Sequence, residues 1–476
     1  MSEDIKTSYK EKGGIQGLHT GTLSWLKAAG NAIAMNGPAA TVALYFVGLA
    51  SLAGGSFPLV VVISFFVYLG MMTITYEWSK VSASAYGWLA FQRKGFDSPM
   101  AAFFGGWYYY TYYFGTTAGF GMLGFATFAF LIDPSIESTY PWLWIPISIA
   151  IVVIDLILTT RGIRPSASYM LYTGLAEASF IIIASLIVIV RAGPSNSFLP
   201  FTAIPVGNSV TVILVSSILG FTTFGGLSSS VPVAEETKAP KKNIPKALLF
   251  GTLVVGVTLI LASYAQAIGF GMANISNYAI APDPGLEVFK KYLGTIGFIL
   301  LAIFVLNSFN SDLVSNLTNT SRMTYGISRD GVLPKFFSKT NSKGVPSLSI
   351  IIAAVAAIVL GVAVGLVLGP LEASLFIVTG YSFAVYIEHV MGGIGLFLYH
   401  RRNHSLKFIR HLIIPFIVVV VLIVALVYSV YPAPAYPLNY LPLIILIWTM
   451  IGFAVYFYMK KKHPEEMSKL GEFSVK

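Results

Sequence analysis

The sequence contains no cysteine and has few charged residues. Of its 476 residues, 11% are Asp, Glu, Lys or Arg and 56% are hydrophobic. The missing cysteines exclude disulfide bonds, thiolate catalysis and cysteine-ligated metal sites. About 25% of the residues of a soluble domain are charged, because its surface faces water. This composition therefore excludes an ordinary soluble protein.

Motifs for catalysis or nucleotide-driven pumping are also missing. The sequence has no Gly-x-x-x-x-Gly-Lys-Ser/Thr loop. Its six histidines show no metal-ligand spacing, and no Ser/His/Asp arrangement can be assembled at one membrane depth. We therefore expect no enzyme and no cofactor. The net charge of +10 requires no nucleic-acid partner, because a basic collar at a membrane surface explains it.

Long uncharged apolar blocks fill most of the chain. A membrane-spanning helix needs roughly 20 mainly apolar residues, because it rises 1.5 Å per residue across a core of about 30 Å. We predict an all-α integral membrane protein with twelve transmembrane helices. The predicted spans are 24–52, 57–80, 99–131, 142–160, 166–191, 209–232, 246–271, 292–325, 346–369, 371–400, 408–431 and 437–459.

The basic residues predict the orientation of the spans. An even number of spans places both termini on one side of the membrane. All but three of the 30 Lys and Arg residues lie on that side, and the exceptions are Arg191, Lys290 and Lys291. Since basic loops stay in the cytoplasm during insertion, we expect a cell-membrane protein with cytoplasmic termini.

Two spans carry helix-breaking residues at matching positions. The first span reads GNAIAMNGPAATVALYF, with Asn36-Gly37-Pro38 in its middle, and the sixth reads ILGFTTFGGLSSSVP, with Gly225-Gly226. Pro38 lacks an N–H and clashes with the preceding turn, and glycine lets the backbone leave the helical conformation, so both helices should open at these residues. Breaks five helices apart predict an inverted repeat of five plus five helices.

The repeat divides the chain into five predicted parts. These are a cytoplasmic N-terminal tail (1–23), a first repeat (24–191), a second repeat (209–400), two added helices (408–459) and a cytoplasmic C-terminal tail (460–476). Each break frees backbone N–H groups, which attract a carboxylate, and carbonyl groups, which attract a cation. A substrate that carries a carboxylate is the simplest explanation.

Two carboxylates lie deep inside predicted spans. Glu177 is 13 residues from Arg164 and 14 from Arg191, which places it about 20 Å from either membrane surface. Asp312 lies in the polar stretch NSFNSDLVSNLTNTSR of span eight. Ionisable groups at this depth are costly, so they indicate a site for H+ or Na+. The alternative is that each acid is hydrogen-bonded and only shapes the bundle.

Three further features inside the predicted spans have weaker links to transport. Glu388-His389 in span ten is a third candidate for a functional pair. Asp155 lies near Arg161 at the end of span four, where snorkelling explains it. The aromatic run 107–113 in span three is expected to serve mainly as an interface anchor.

Three stretches resemble one transporter family. VPVAEETKAPKKNIPKAL (231–248), SRMTYGISRDGVLPKFF (321–337) and TYEWSKVSASAYGW (75–88) are similar to signatures of the amino acid–polyamine–organocation superfamily. GNAIAMN (30–36) also resembles the first-helix motif of the neurotransmitter–sodium symporters, which share the five-plus-five fold. The resemblance covers about residues 20–400.

The resemblance implies particular site residues. The substrate carboxylate would meet amides near Ala34, Met35, Asn36 and Gly37. The remaining substrate contacts would come from Thr222, Phe224, Gly225, Gly226 and Leu313, and Tyr110 of the aromatic run is a further pocket candidate. The coupling cation would lie among Gly30, Ile33, Glu177 and Asp312. Two positions depart from the family pattern, because Ala34-Met35-Asn36-Gly37 replaces Gly-Ser-Gly and Ser228 stands where many members have an acid.

The resemblance also implies a function. We expect a secondary active transporter that moves amino acids or related amines by alternating access, coupled to H+ or Na+. Ionic contacts between Arg329-Asp330-Gly331 and Glu235-Glu236 would hold the inward gate shut, unless these residues only cap loops. An amino acid–amine exchanger, a channel-like protein and a sensor stay open, as do the substrate's identity and the oligomeric state. The expected partners are a small-molecule substrate and the lipid bilayer.

Overall fold

The computed structural model describes residues 17–431 and 433–475, and this part of the chain is helical almost throughout. The twelve long helices are α1 (Trp25–Asn36 and Pro38–Ala53), α2 (Phe57–Val81), α3 (Pro99–Ile132), α4 (Trp144–Thr160), α5 (Ile163–Ala192), α6 (Val210–Ser230), α7 (Pro240–Phe270), α8 (Pro284–Arg329), α9 (Ser347–Leu368), α10 (Pro370–Arg402), α11 (Phe408–Tyr428) and α12 (Leu438–Lys462). Short helices cover Trp88–Phe96, Pro134–Thr139 and Pro464–Lys469.

The prediction of an all-α membrane protein is confirmed. Among the described residues, ten helical segments are long and apolar enough to cross a membrane; the first contains both α1 and α2, and α4 is a shorter apolar helix, so the twelve predicted spans each correspond to a helix. The largest boundary differences are the starts of α7 and α8, at Pro240 and Pro284. Hydropathy marks only the part of a helix that crosses the bilayer, whereas both helices begin earlier, with proline in the first turn.

Both predicted helix breaks are present. In α1, Gly37 adopts a left-handed conformation (φ 58°, ψ 66°) and Pro38 starts the second half of the helix. In α6, Gly225 is extended (ψ 157°) and Gly226 has φ 90°. Few L-residues adopt such positive φ values, so glycine is the residue suited to both turns. Beyond its break, α6 continues only as a 3₁₀-helix, Leu227–Ser230.

The two breaks touch each other at the centre of the bundle. A Cβ atom on Gly226 would lie 2.8 Å from the backbone carbon and oxygen of Met35. Asn31 Nδ2 donates to the Ser229 carbonyl at 2.6 Å, and Ser230 Oγ donates to the Ala28 carbonyl at 2.7 Å. Around them pack α5, α7 and α8. The division into two five-helix repeats stays a prediction, and residues 1–16 and 476 of the predicted tails lie outside the described residues.

Candidate functional site

A central cavity lies beside the two breaks, lined by α1, α2, α3, α6 and α10. Of the residues predicted for the substrate, five line it: Met35, Asn36, Thr222, Gly225 and Gly226. Its other walls are mostly aromatic and hydroxyl side chains. Among the described residues, no Asp, Glu, Lys or Arg lines this cavity. An uncharged wall next to bare backbone groups suits a ligand that brings its own charges.

Asn36 joins the broken ends of α1 and α6 across the cavity. Its Nδ2 donates to the carbonyls of Thr223 at 3.1 Å and Gly225 at 3.0 Å. Two carbonyl partners fix the orientation of the amide, so Oδ1 faces the other way. Oδ1 is buried and has no hydrogen-bond partner in the described part of the chain. A buried acceptor without a partner therefore lies next to the breaks.

The part of the cavity that is lined by Tyr109, Ser228 and His389 is polar but uncharged. The Tyr109 hydroxyl and Ser228 Oγ are 2.6 Å apart, which joins α3 to α6. Ser228 therefore serves as a hydroxyl partner where many members of the resembled superfamily have an acid. His389 Nδ1 lies 2.9 Å from the Val385 carbonyl, so this nitrogen carries the proton and Nε2 is left as an acceptor.

Glu177, which does not line the cavity, binds the second half of α1. Its Oε1 accepts hydrogen bonds from the Ala39 amide at 2.6 Å and from Ser308 Oγ at 2.6 Å. Its Oε2 accepts from Asn307 Nδ2 at 3.3 Å, and the side chain is buried. A carboxylate at this position caps a helix N-terminus from a neighbouring helix. The conformation of the α1 break thus depends on the hydrogen bonds that the Glu177 carboxylate accepts.

The free amides of the α1 break lie later than the sequence predicted. The Gly37 amide donates to the Ile33 carbonyl at 3.3 Å and ends the first half-helix. Pro38 has no N–H. The amides without a partner inside the helix are therefore those of Ala39 and Ala40, and they donate to the side chains of Glu177 and Ser308. In this conformation a ligand at Met35–Gly37 meets the Asn36 side chain and not open N–H groups.

Asp312 does not meet Glu177 in the structure. Its carboxylate lies against α3, where a Cβ on Gly121 would be 3.1 Å from Oδ2. Serines of the same helix, one at 311 and one at 315, instead face α1, with their Oγ atoms 3.4 Å and 3.2 Å from α1 carbonyls. Gly30 and Ile33 pack against α5, at Leu171 and Gly174. Of the two predicted carboxylates, Glu177 contacts the α1 break and Asp312 does not.

Five of the predicted substrate residues do not line the central cavity, and Gly37 at the α1 break is one of them. Ala34 packs inside α1, and its carbonyl accepts from Ser311. Phe224 is buried against the rings of α2, and Leu313 lies in an apolar cluster with α3. The Tyr110 hydroxyl bonds the hydroxyl of Thr324 on α8. These residues pack between the helices, behind the residues that line the cavity.

The tyrosines of the cavity wall were not predicted from the sequence. The cavity is lined by Tyr45, Tyr68, Tyr109, Tyr112 and Tyr381. Tyr109, Tyr112 and Tyr113 are all buried, although most of the aromatic run was expected at the membrane interface. Their spacing of three and four residues places them on one helix face. That spacing was the available signal.

A second cavity lies next to the central cavity and shares five lining residues with it: Tyr45, Phe120, Thr222, Val378 and Ser382. It also reaches Leu131, Pro282 and Ser429, which lie at or beyond the helix ends on the face of the bundle opposite residues 17 and 475, here called the far face. The two cavities together therefore extend from the breaks towards the far face.

The other end, here called the terminal face, is closed by two ion pairs. Arg322 and Glu236 form a buried two-point pair at 3.0 and 3.2 Å, with side-chain exposures of 0% and 1%. Arg329 and Glu235 form a second pair at 2.8 and 3.1 Å. The ionic contact that was predicted between the segments 231–248 and 321–337 is thus present. An isolated β-bridge between Leu23 and Thr237, in the segment that follows α6, covers the same face.

Comparison with known proteins agrees with this geometry. The family described as amino acid permease matches residues 23–470. The chain is 26% identical over 221 residues to the branched-chain amino acid permease BcaP of Lactococcus lactis, which covers 45% of this chain and 46% of that protein. It is 30% identical over 148 residues to the lysine-specific permease LysP of the same organism, over 30% of this chain and 28% of that protein.

A third relative has a different kind of substrate in its name. The chain is 29% identical over 138 residues to the putrescine transporter PotE of Haemophilus influenzae, over 29% of this chain and 31% of that protein. The alignments span less than half the length of each of these relatives. With its apolar helices and the family match, the chain is a multi-pass membrane protein.

Proposed function

We propose that this chain, which belongs to the amino acid permease family, carries a neutral amino acid across a cell membrane by alternating access coupled to protons. The observation that carries the proposal is the uncharged cavity at the touching breaks of α1 and α6. The break in α6 leaves the end of one short helix (Phe221–Phe224) and the start of another (Leu227–Ser230), and helix ends of this kind attract the amino group and the carboxylate of a zwitterion. The walls offer only neutral groups for its side chain.

The neutral lining favours a neutral side chain. A lysine side chain or a diamine would bring a charge into a cavity without a charged partner, which is costly. The amino group of a zwitterion can donate to Asn36 Oδ1 and to carbonyls at the α6 break. The space open to the centre of a water molecule is about 80 Å³, which is enough for roughly five to eight waters. That size suits a small or medium amino acid.

Glu177 is our candidate for proton coupling. Its three described partners, Ala39, Ser308 and Asn307, all donate to it. A Na+ ion would need oxygen ligands in place of these donors, whereas a proton needs only the carboxylate. Protonation would remove the negative charge from the N-terminus of the second half of α1. The position of α1, and with it the cavity, would then respond to the proton.

The second cavity towards the far face and the ion pairs at the terminal face support an outward-facing assignment. If the basic loops lie in the cytoplasm, the terminal face is cytoplasmic and this conformation faces outward. The substrate would enter past Tyr45 and Phe120, and the ion pairs of Glu235 and Glu236 would part to release it.

Uptake into liposomes tests this proposal. We expect an inward proton gradient to raise the initial rate for a neutral amino acid at least about fivefold, with lysine, glutamate and putrescine competing weakly. The control arms are a Na+ gradient of equal size and liposomes preloaded with unlabelled substrate. Uptake that follows Na+, or that needs internal substrate, would contradict proton coupling. Preference for putrescine or lysine would contradict the neutral-substrate assignment.

The Asn36 side chain gives a sharper test of the site. Asn36→Ala removes two hydrogen bonds worth about 1 kcal/mol each, so we expect the KM for the substrate to rise about 10- to 30-fold. Asn196→Ala is the matched control, because Asn196 Nδ2 also donates to two carbonyls, at 2.7 and 3.0 Å, but on the exposed surface. Equal KM values in the two variants would remove Asn36 from the site.

A further inference from the structure

The end of the chain folds back over the closed terminal face. Residues 464–475, here called the C-terminal strap, follow α12, and the strap inserts Met467 and Leu470, each 1% exposed, into the protein core. Beyond them, the Gly471 amide donates to Asp330 Oδ2 at 3.3 Å. Burial of this kind anchors the strap to the body of the protein.

The last residues of the strap contact the ion-pair seal itself. The Phe473 ring lies 3.8 Å from the centre of the Arg329 guanidinium group, and that group is paired with Glu235. The next two residues bond one backbone position: Ser474 Oγ accepts from the Ala83 amide at 3.0 Å, and the Val475 amide donates to the Ala83 carbonyl at 2.8 Å.

The strap therefore bridges elements that the seal also joins. The pair Arg329–Glu235 connects the end of α8 to the segment that follows α6. The strap connects the end of α8, through Asp330 and Arg329, to the segment that follows α2, through Ala83. If the terminal face opens by parting α8 from α2 and α6, the strap contacts must break or move with it.

We propose that the C-terminal strap is a built-in brake that stabilises the conformation with the terminal face closed. Docked, it covers Arg329 with an aromatic ring, which stabilises the cation, and it adds backbone hydrogen bonds across the seal. Released, it leaves the ion pairs as the main closure. This inference concerns gating and goes beyond the proposed substrate and coupling ion.

A reversible cross-link tests the brake in the full-length protein. The chain has no cysteine, so Ala83→Cys with Ser474→Cys can form only one intramolecular disulfide. We expect oxidation to lower the initial uptake rate at least about fivefold and reduction to restore it, with each single-cysteine variant insensitive to oxidation. Unchanged uptake with the disulfide formed would overturn the proposal. Failure of the disulfide to form would also overturn it, because the strap would then not be docked at Ala83.

A second measurement does not depend on transport. Thr324 is 8% exposed and lies on α8 between the two sealing arginines. In a Thr324→Cys background, Phe473→Ala should raise the labelling rate by a membrane-impermeant maleimide, applied to the terminal face, about fivefold. Phe457→Ala, which removes an exposed ring of α12, is the matched control. Equal rates in the two variants would show that Phe473 does not hold the face shut. Because labelling needs no substrate, this result stands apart from the fate of the proposed function.

Discussion

Replacing Glu177 by glutamine is expected to lower proton-driven uptake on the order of 100-fold, which corresponds to about 2.7 kcal/mol. Glutamine keeps an oxygen that can accept from the Ala39 amide and Ser308, so the α1 break should keep its shape. It cannot change charge with pH. We therefore expect the variant to fold and to bind substrate while the proton gradient no longer drives uptake.

Glu388→Gln is the matched control for this experiment. Glu388 is also a buried glutamate in a spanning helix, with Gln92 Nε2 2.8 Å from its Oε1, but it does not contact either break. Uptake by this variant should stay within about threefold of the original protein. Proton-driven uptake that survives in Glu177→Gln would exclude Glu177 from the coupling mechanism. Loss of binding as well would show that Glu177 only supports the structure.

Breaking the Arg322–Glu236 pair is expected to have the largest effect on stability. Both side chains are fully buried, and Arg322 also donates to Ser321 Oγ at 3.0 Å. Arg322→Met leaves the Glu236 carboxylate buried without its partner, which costs about 3–5 kcal/mol. The thermal unfolding midpoint in detergent should fall sharply. Adding Glu236→Leu should recover most of the loss, because a well-packed apolar pair is a fair substitute for a buried ion pair.

A surface pair supplies the comparison. Arg93 and Asp97 are 3.3 Å apart, but Asp97 is 74% exposed, so Asp97→Asn should cost less than about 1 kcal/mol. A double Arg322/Glu236 variant as unstable as the single variant would contradict the explanation by an unpaired charge. A single variant as stable as the original protein would show that the pair contributes nothing to closure.

The helix plan could be predicted because the bilayer imposes it. Uncharged runs of about 20 residues have one stable solution in hydrocarbon, and Asn36-Gly37-Pro38 and Gly225-Gly226 are strong helix breakers. The spans and both breaks followed from these two facts. Helix ends outside the membrane, such as the start of α8 at Pro284, leave no hydropathy signal.

The site was predicted less well, because contacts between helices depend on rotation about each helix axis. The sequence placed Glu177 and Asp312 at similar depth, but α8 turns Asp312 towards α3 while Ser308 faces Glu177. The amides of the α1 break were misplaced because Pro38 has no N–H, which passes the free donors to Ala39 and Ala40. The depth of a residue in the membrane can be counted along the sequence, whereas the neighbouring helix that its side chain faces cannot.

The proposed function depends most on a zwitterionic ligand bound between the breaks of α1 and α6. An experimental density map of the protein with a transported amino acid bound tests that claim directly. We predict ligand density within hydrogen-bond distance of Asn36 and the backbone at Gly225-Gly226, with Glu177 outside the cavity. Continuous helices through both breaks, or ligand density elsewhere in the bundle, would contradict it.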